Sequence, residues 1–226
     1  MIEPHARWAK ARTSRVRVEA GHALLPTLRF VVALALSVLA LNIFALDAAR
    51  AEGEADFLAG RTKSCPNCSL KEAPLKRRDL TGADLTGADL TGAVLHRARL
   101  PRAKLTGATL TQANLNKTDI KSVSFAQAKL TEAMLYESDA SGADFTGADL
   151  TGAKLQRSRL IRAQFDGAKL TTALLIGARL DEATLRGANL EGANLTNAIL
   201  SEAQTEGAKF EAAIMPDGRR SEPAKQ

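Results

Sequence analysis

A single reading frame of five residues runs from Cys68 to Asp217 without an insertion or a deletion. Ala83, Asp84, Leu85, Thr86 and Gly87 are followed by Ala88, Asp89, Leu90, Thr91 and Gly92, and the pattern continues. Thirty positions, 70, 75, 80 and so on to 215, are the centres of these units; twenty-two are Leu, four are Phe, and Ile120 and Met215 bring the large apolar total to twenty-eight. Two residues before each centre, twenty-four of thirty are Ala. Repetition of this kind decides architecture before any other signal, because each unit must bury its apolar residues against copies of itself.

Within a unit, Ala and the centre are two apart with a polar residue between them, the period-two alternation of an extended segment that turns both to one face. A helix is excluded: apolar residues every five positions smear around a 3.6-residue turn and leave no stripe to bury. Two residues past the centre, Gly occurs in twelve units, and Gly suits a bend that needs positive φ. Each unit therefore reads as a short side and a corner, and same-handed corners stack into a coil whose turns pair as parallel strands about 4.8 Å apart. Phe125, Phe145 and Phe165 are spaced by twenty, so four units per turn would stack the three rings. A narrow square lumen filled by Leu and Ala also accounts for an aromatic content of 4%. The two misfits among the centres are Ala140, expected to leave a thin layer, and Thr205.

These features resemble the pentapeptide repeat family, whose motif centres on A(D/N)LXX. The resemblance covers about two-thirds of the chain, and the ending Ala213, Ile214, Met215, Pro216, Asp217, Gly218 is similar to the way many members finish. It implies an all-β, right-handed quadrilateral parallel β-helix of about 7.5 coils, thirty units taken four at a time. Dimerisation through the last coil, known in the family, is a further implication. Some members mimic duplex DNA with an acidic surface and bind type II topoisomerases. This chain departs from that pattern.

The departure shows once the leader is set aside. Residues 1–29 carry six basic and two acidic residues, an apolar run extends from Phe30 to Leu46 with one interruption at Asn42, and Ala49 and Ala51 offer small residues where a signal peptidase reads. Cleavage is expected after Ala51. The alternative is an uncleaved anchor with its basic end in the cytoplasm, the seventeen residues of the run being at the lower limit for a span. Either way the array lies outside the cytoplasm, periplasmic or secreted in the first case, facing the periplasm from the inner membrane in the second. The whole chain has 31 basic and 25 acidic residues, net +6, but residues 1–51 hold seven and three of these, so the remainder is 24 against 22, net +2. The high pI mostly reflects the leader, and no nucleic-acid partner is expected. Membrane contact is expected only if the leader is retained.

The two cysteines, Cys65 and Cys68, stand at the mouth of the array. In an oxidising compartment a structural disulfide is the expected pairing; a redox role is the sharper alternative for a C-x-x-C, although such motifs usually open a helix. No set of ligands for a metal ion or cofactor accompanies them. His96 is the one histidine beyond the leader and occupies an outward position. Asp84, Asp89, Asp144 and Asp149 share one outward slot of their units, so they read as solvating residues, and no catalytic residues are expected.

Two surface features remain. Assigning units to sides by twenty-residue spacing collects Arg77, Arg97, Arg99, Arg102, Lys117, Lys121, Arg157, Arg159, Arg162 and Arg179 on one edge, interrupted by Glu137 and Asp139. That edge reads as a solvated ridge or as a docking surface for an acidic protein, an anionic lipid or an envelope polymer. The adjoining side places Val94, Met134, Leu174 and Ile214 outward, forty apart, a candidate contact face. The expected organisation is a leader over 1–51, a cap over 52–67 containing a helical turn or loop, the array over 68–217, and a flexible polar tail over 218–226. The function expected is that of a non-enzymatic exported scaffold for an unknown protein or envelope partner. The alternatives are a membrane-anchored assembly factor and, third, an extracytoplasmic redox protein using Cys65 and Cys68.

Overall fold

The computed structural model describes residues 51–222. The expected leader, apart from Ala51, and residues 223–226 of the expected tail lie outside the described residues. The described chain belongs to one compact unit, Asp47–Gln226.

Every parallel bridge joins residues twenty apart: Asp84 to Lys104, Lys104 to Ser124, Ser124 to Asp144, and so on. Four five-residue units therefore make one turn. We number the sides in chain order by their centres: side 1 from Leu70 to Phe210, side 2 from Leu75 to Met215, side 3 from Leu80 to Leu200, and side 4 from Leu85 to Thr205. Except at Leu75 and in the last coil, each centre donates its N–H to the coil above, as Leu85 does to the Lys104 carbonyl at 2.8 Å, and the residue two later does the same, Gly87 to Thr106 at 2.9 Å. The corner closes on itself through Ala88 N–H to Leu85 C=O at 3.0 Å. These bonds satisfy backbone groups that a buried coil could not leave unpaired. The period-two alternation predicts short strands, whereas each side contributes a single bridge residue, because a corner begins directly after the centre.

The lumen is filled as the frame requires. Leu85, Leu90, Ala88, Ala93 and their apolar equivalents are buried up to the last coil, where Leu200, Ala208, Phe210 and Met215 are only partly so, and Phe125, Phe145 and Phe165 stack with centroids 5.0 and 4.9 Å apart. Ala140 is buried in the side 3 column between Ile120 and Leu160. Thr205 falls in the last coil, where its residue is exposed, so a polar centre is tolerated there. Three further inward residues are polar: Thr118, Ser138 and Ser158 take the Ala slot on side 3, and each hydroxyl donates to the carbonyl three residues back, Ser138 to Leu135 at 2.8 Å and Ser158 to Leu155 at 2.6 Å. A buried hydroxyl bonded in this way avoids the cost of an unsatisfied donor.

The corner residue is left-handed in every unit but the last, and Gly is not required for it. Eighteen non-Gly residues adopt φ between 52° and 60°, among them Glu72, Arg97, Arg102, Glu137 and Glu182. Regular pairing on both neighbouring coils holds these residues in a conformation that costs a non-Gly residue about 1–2 kcal/mol. At Gly82, with φ +67° and nothing within 4 Å of an added Cβ, that backbone cost stands alone. Gly82→Ala should therefore lower stability by about 1–2 kcal/mol, read as a shift in the thermal midpoint; an unchanged midpoint would count against the left-handed corner.

The ends differ from the expected boundaries. The first bridge is Ser64 to Asp84, so the coil starts one unit before Cys68, and Cys65 takes the slot of a centre. Helix α1, residues 51–58 among those described, covers this first coil. Its Phe57 is fully buried, its end is capped by Gly60 at φ +76°, and Ser69 N–H donates to Glu54 Oε1 at 2.6 Å. Arg78 replaces the usual Ala and donates to the last carbonyls of α1, Leu58 at 2.8 Å and Phe57 at 3.0 Å, with its guanidinium 5.7 Å from the Phe57 ring. The expected free tail is also revised: Arg220 pairs antiparallel with Ile214, Met215 N–H donates to Arg219 C=O at 2.7 Å, and the Ser221 hydroxyl donates to the Phe210 carbonyl. The segment 219–221 thus covers side 2 of the last coil. On the other sides the ladders stop at Ile199, Gln204 and Lys209, with no later bridge among the described residues.

Candidate interaction surfaces

Side 2 carries one continuous outward ladder, Pro74, Val94, Asn114, Met134, Lys154, Leu174, Asn194 and Ile214, each bridged to the next. Val94, Met134, Leu174 and Ile214 therefore share one side, alternating with polar residues. Val94 is 37% exposed, and the other three are half-buried. Two apolar surface residues escaped the sequence reading: Leu58 at the end of α1, 44% exposed, and Ile199 on side 3, 43% exposed in the last coil.

Side 3 and its two corners carry the basic edge. Its ladder runs Asp79, Arg99, Asp119, Asp139, Arg159, Arg179 and Ile199. One corner column stacks Arg77, Arg97, Lys117, Glu137 and Arg157; the other includes Arg102 and, in later coils, Arg162 and Glu182. Two Arg triplets of this edge, Arg97, Arg99 and Arg102 and, three coils later, Arg157, Arg159 and Arg162, are not electrostatically equal. Arg157 lies 3.9 Å from Glu137 and donates to the Tyr136 hydroxyl at 3.2 Å, Arg159 lies 3.7 Å from Asp139, and Arg162 meets Glu182 at 2.8 and 3.0 Å in a two-point pair. That pair holds the Arg162 pKa above and the Glu182 pKa below their ordinary values. Lys117 and Lys121 are likewise taken by Glu137 and Asp139, at 3.2 and 3.3 Å. Arg97, Arg99 and Arg102 have no carboxylate within 4.0 Å among the described residues. Lys76 and Lys104, which sequence reasoning did not single out, extend this unpaired group; their columns on the adjacent corner and on side 4 were the available signal.

The outward Asp residues serve the corners. Asp79 Oδ1 accepts from both the N–H and the hydroxyl of Thr81, at 3.0 and 2.6 Å, and Asp84, Asp89 and Asp149 repeat the arrangement with Thr86, Thr91 and Thr151. The Thr81 bonds, with help from Lys63, lower the Asp79 pKa from 3.8 to about 2. At Asp89 and Asp139 partial burial pushes the other way, and hydrogen bonds from Thr91 and Ser141, with Lys71 and Lys121, overcome it. A depressed folded-state value means stability that is present above the unfolded pKa and is lost as pH falls through the folded one. The thermal midpoint should accordingly fall between about pH 4 and pH 2, and Asp79→Asn should flatten that part of the profile. A profile identical to that of the parent chain would remove Asp79 from the account.

Cys65 and Cys68 are both buried, in a centre slot and an Ala slot, with their Cα atoms 5.5 Å apart and their sulfurs at bonding distance. Among the described residues, no group of three or more His, Cys, Asp or Glu could hold a metal ion, and no helix is long and apolar enough to cross a membrane.

A stack of twenty-residue coils with its apolar residues inside and its chemistry on outward columns defines a β-helix solenoid. The chain belongs to the pentapeptide repeat family: the model described as pentapeptide repeats matches residues 68–107, 103–147, 141–177 and 178–215. Among solved structures it is similar to HetL, a pentapeptide repeat protein involved in heterocyst differentiation regulation from the cyanobacterium Nostoc sp. strain PCC 7120. Identity is 33% over 70% of this chain and 81% of that one, with a TM-score of 0.44. A pentapeptide repeat protein of the Arabidopsis thaliana thylakoid lumen is 28% identical over 57% of this chain and 69% of its own, TM-score 0.33. Full-length QnrB1, a plasmid-mediated fluoroquinolone resistance protein, is 21% identical over 66% and 82%, TM-score 0.32. No curated protein sequence is significantly similar to the chain.

Proposed function

We propose that the protein is exported and acts without catalysis, as a right-handed quadrilateral solenoid of about 7.5 coils, its thirty units taken four at a time, that holds partners on its outer columns. One observation carries this reading above the others. The side chains that vary most from unit to unit are all outward and sorted into columns, while the inward positions are uniform packing. Val94, Met134, Leu174 and Ile214 on side 2 form the proposed protein-contact face, and the basic edge forms a second surface.

Export supplies the condition under which Cys65 and Cys68 would be joined as a structural disulfide. Alkylation of the purified protein without reductant should leave both thiols unlabelled, and unfolding with reductant should expose two. Exchange with glutathione in the folded state would instead favour the redox alternative. Mass spectrometry of the chain from its native host should find an amino terminus at Glu52; an intact leader would replace the soluble scaffold by the membrane-anchored assembly factor. Photo-crosslinkers at Val94 and Leu174 should capture partner protein where the same group at Thr109, on side 1, does not. Equal capture from both sides would remove side 2 as the contact face. The ladders that stop at Ile199, Gln204 and Lys209 favour a second reading within the same function, self-association through the last coil.

A further inference from the structure

The array is electrically polar along its axis. Residues 61–104 carry ten basic and four acidic side chains, net +6, whereas residues 181–222 carry four and eight, net −4. Much of the basic excess is neutralised locally: Arg61 pairs with Asp56, Lys63 with Asp79, Lys71 with Asp89, and Arg78 turns inward to α1. What remains is one continuous group. Lys76, Arg77, Arg97, Arg99, Arg102 and Lys104 are all exposed, and none has a carboxylate within 4.0 Å among the described residues. They occupy side 3 of the early coils, both its corners, and the start of side 4. Arg77 and Arg97 sit in successive coils, joined through Arg77 N–H to His96 C=O at 3.0 Å. Lys104 is the bridged neighbour of Asp84 on side 4 and helps to lower its pKa, but the two form no ion pair within 4.0 Å.

From this distribution we propose that the early coils of side 3 dock on an anionic lipid leaflet. The inference deepens the scaffold reading and rests on the exported location proposed there. A leaflet is the partner the geometry suits because the cations are solvated and spread over side 3, its two corners and the start of side 4, and a diffuse field of phosphates satisfies such a set without fixed positions. The acidic far end is repelled by the same leaflet, which orients the solenoid with its last coil directed away. Each cation close to an anionic leaflet contributes about fivefold in binding constant at physiological salt, and the attraction falls off over about 8 Å.

The test compares two charge-reversal triples in the chain that begins at Glu52. Among the described residues, this chain retains every bridge, residues 52–58 of α1 and the whole buried core. Arg97→Glu, Arg99→Asp and Arg102→Glu together reverse the unpaired group; Arg157→Glu, Arg159→Asp and Arg162→Glu together reverse the paired one. Both sets are compatible with the backbone, since Glu137 and Glu182 already hold positive φ at the corners and Asp79, Asp119 and Asp139 already occupy the ladder. Thermal melts of both triples serve as the control for folding. The parent chain should float with vesicles of equimolar phosphatidylglycerol and phosphatidylcholine, stay behind with pure phosphatidylcholine, and release as salt rises. The first triple should lose about a hundredfold or more in affinity, and the second should lose at most a tenth as much. Equal losses, or no flotation by the parent, would overturn the proposal. Binding to polyglutamate with no binding to vesicles would overturn it too, in favour of an acidic protein. Crosslinking through Val94 and Leu174 is read separately, so the lipid surface can fail while the scaffold reading stands.

Discussion

Phe145→Ala should lower the stability of the chain by about 3–5 kcal/mol, the range for emptying a buried aromatic site. Phe145 is the middle of three stacked rings, 5.0 Å from Phe125 and 4.9 Å from Phe165, and is fully buried. Truncation removes both ring contacts at once and leaves a void that parallel pairing above and below cannot close. Each kcal/mol moves the midpoint of a domain this size by about 2–4 °C, so a large shift is expected in a thermal melt. Phe145→Leu, which installs the commonest centre, should cost much less. Equal effects from the two changes would show that refilling the site recovers nothing, and would overturn the account of the loss as an emptied volume.

The second large effect contrasts neighbours. Ala148 is fully buried in the small inward slot of side 1, and Asp149 beside it faces outward, bonded to Thr151. Ala148→Leu overfills the lumen at a place where four coil walls converge, and should cost about 1–3 kcal/mol or more. Asp149→Leu removes two hydrogen bonds at a partly exposed corner and adds a surface Leu, and should leave the midpoint within a degree or two of the parent. If the outward change proves as damaging as the inward one, the assignment of faces is wrong.

The fold was legible because its determinants are local and periodic. A five-residue frame states which residues face inward, and the Phe spacing states how many units close a turn. The surface assignments followed from the same arithmetic, so the shared side of Val94, Met134, Leu174 and Ile214 was readable in advance. What the frame did not disclose lies where periodicity ends. Cys65 occupies a centre slot although its unit lacks the motif, Arg78 leaves the Ala pattern to bind the end of α1, and residues 219–221 pair back on Ile214. These depend on contacts between the array and irregular chain, which no repeat encodes. Charge pairing was hidden for a related reason. Two Arg triplets sixty residues apart look alike in sequence, but the acidic residues that neutralise the second stand twenty residues away, in the coils above and below.

The corner residues reveal a similar economy. Eighteen non-Gly side chains hold left-handed φ, so the corner geometry is imposed by pairing with adjacent coils rather than by local preference. That leaves the corner free to carry Arg, Lys, Glu or Gln, and the charged columns of this protein are built largely on such positions.

The twenty-residue register has a consequence for how such a chain can change its length. Duplication or loss of one five-residue unit keeps every Leu and Ala inward, yet it advances all later residues by one side, a quarter turn. The core would be indifferent to the event while every downstream column would acquire new neighbours and a new direction. Gain or loss of four units together restores the alignment and merely lengthens or shortens the stack. Growth in steps of five therefore re-sorts the outer face, and growth in steps of twenty preserves it, so lineages of this architecture have one mode of indel that diversifies recognition and another that conserves it.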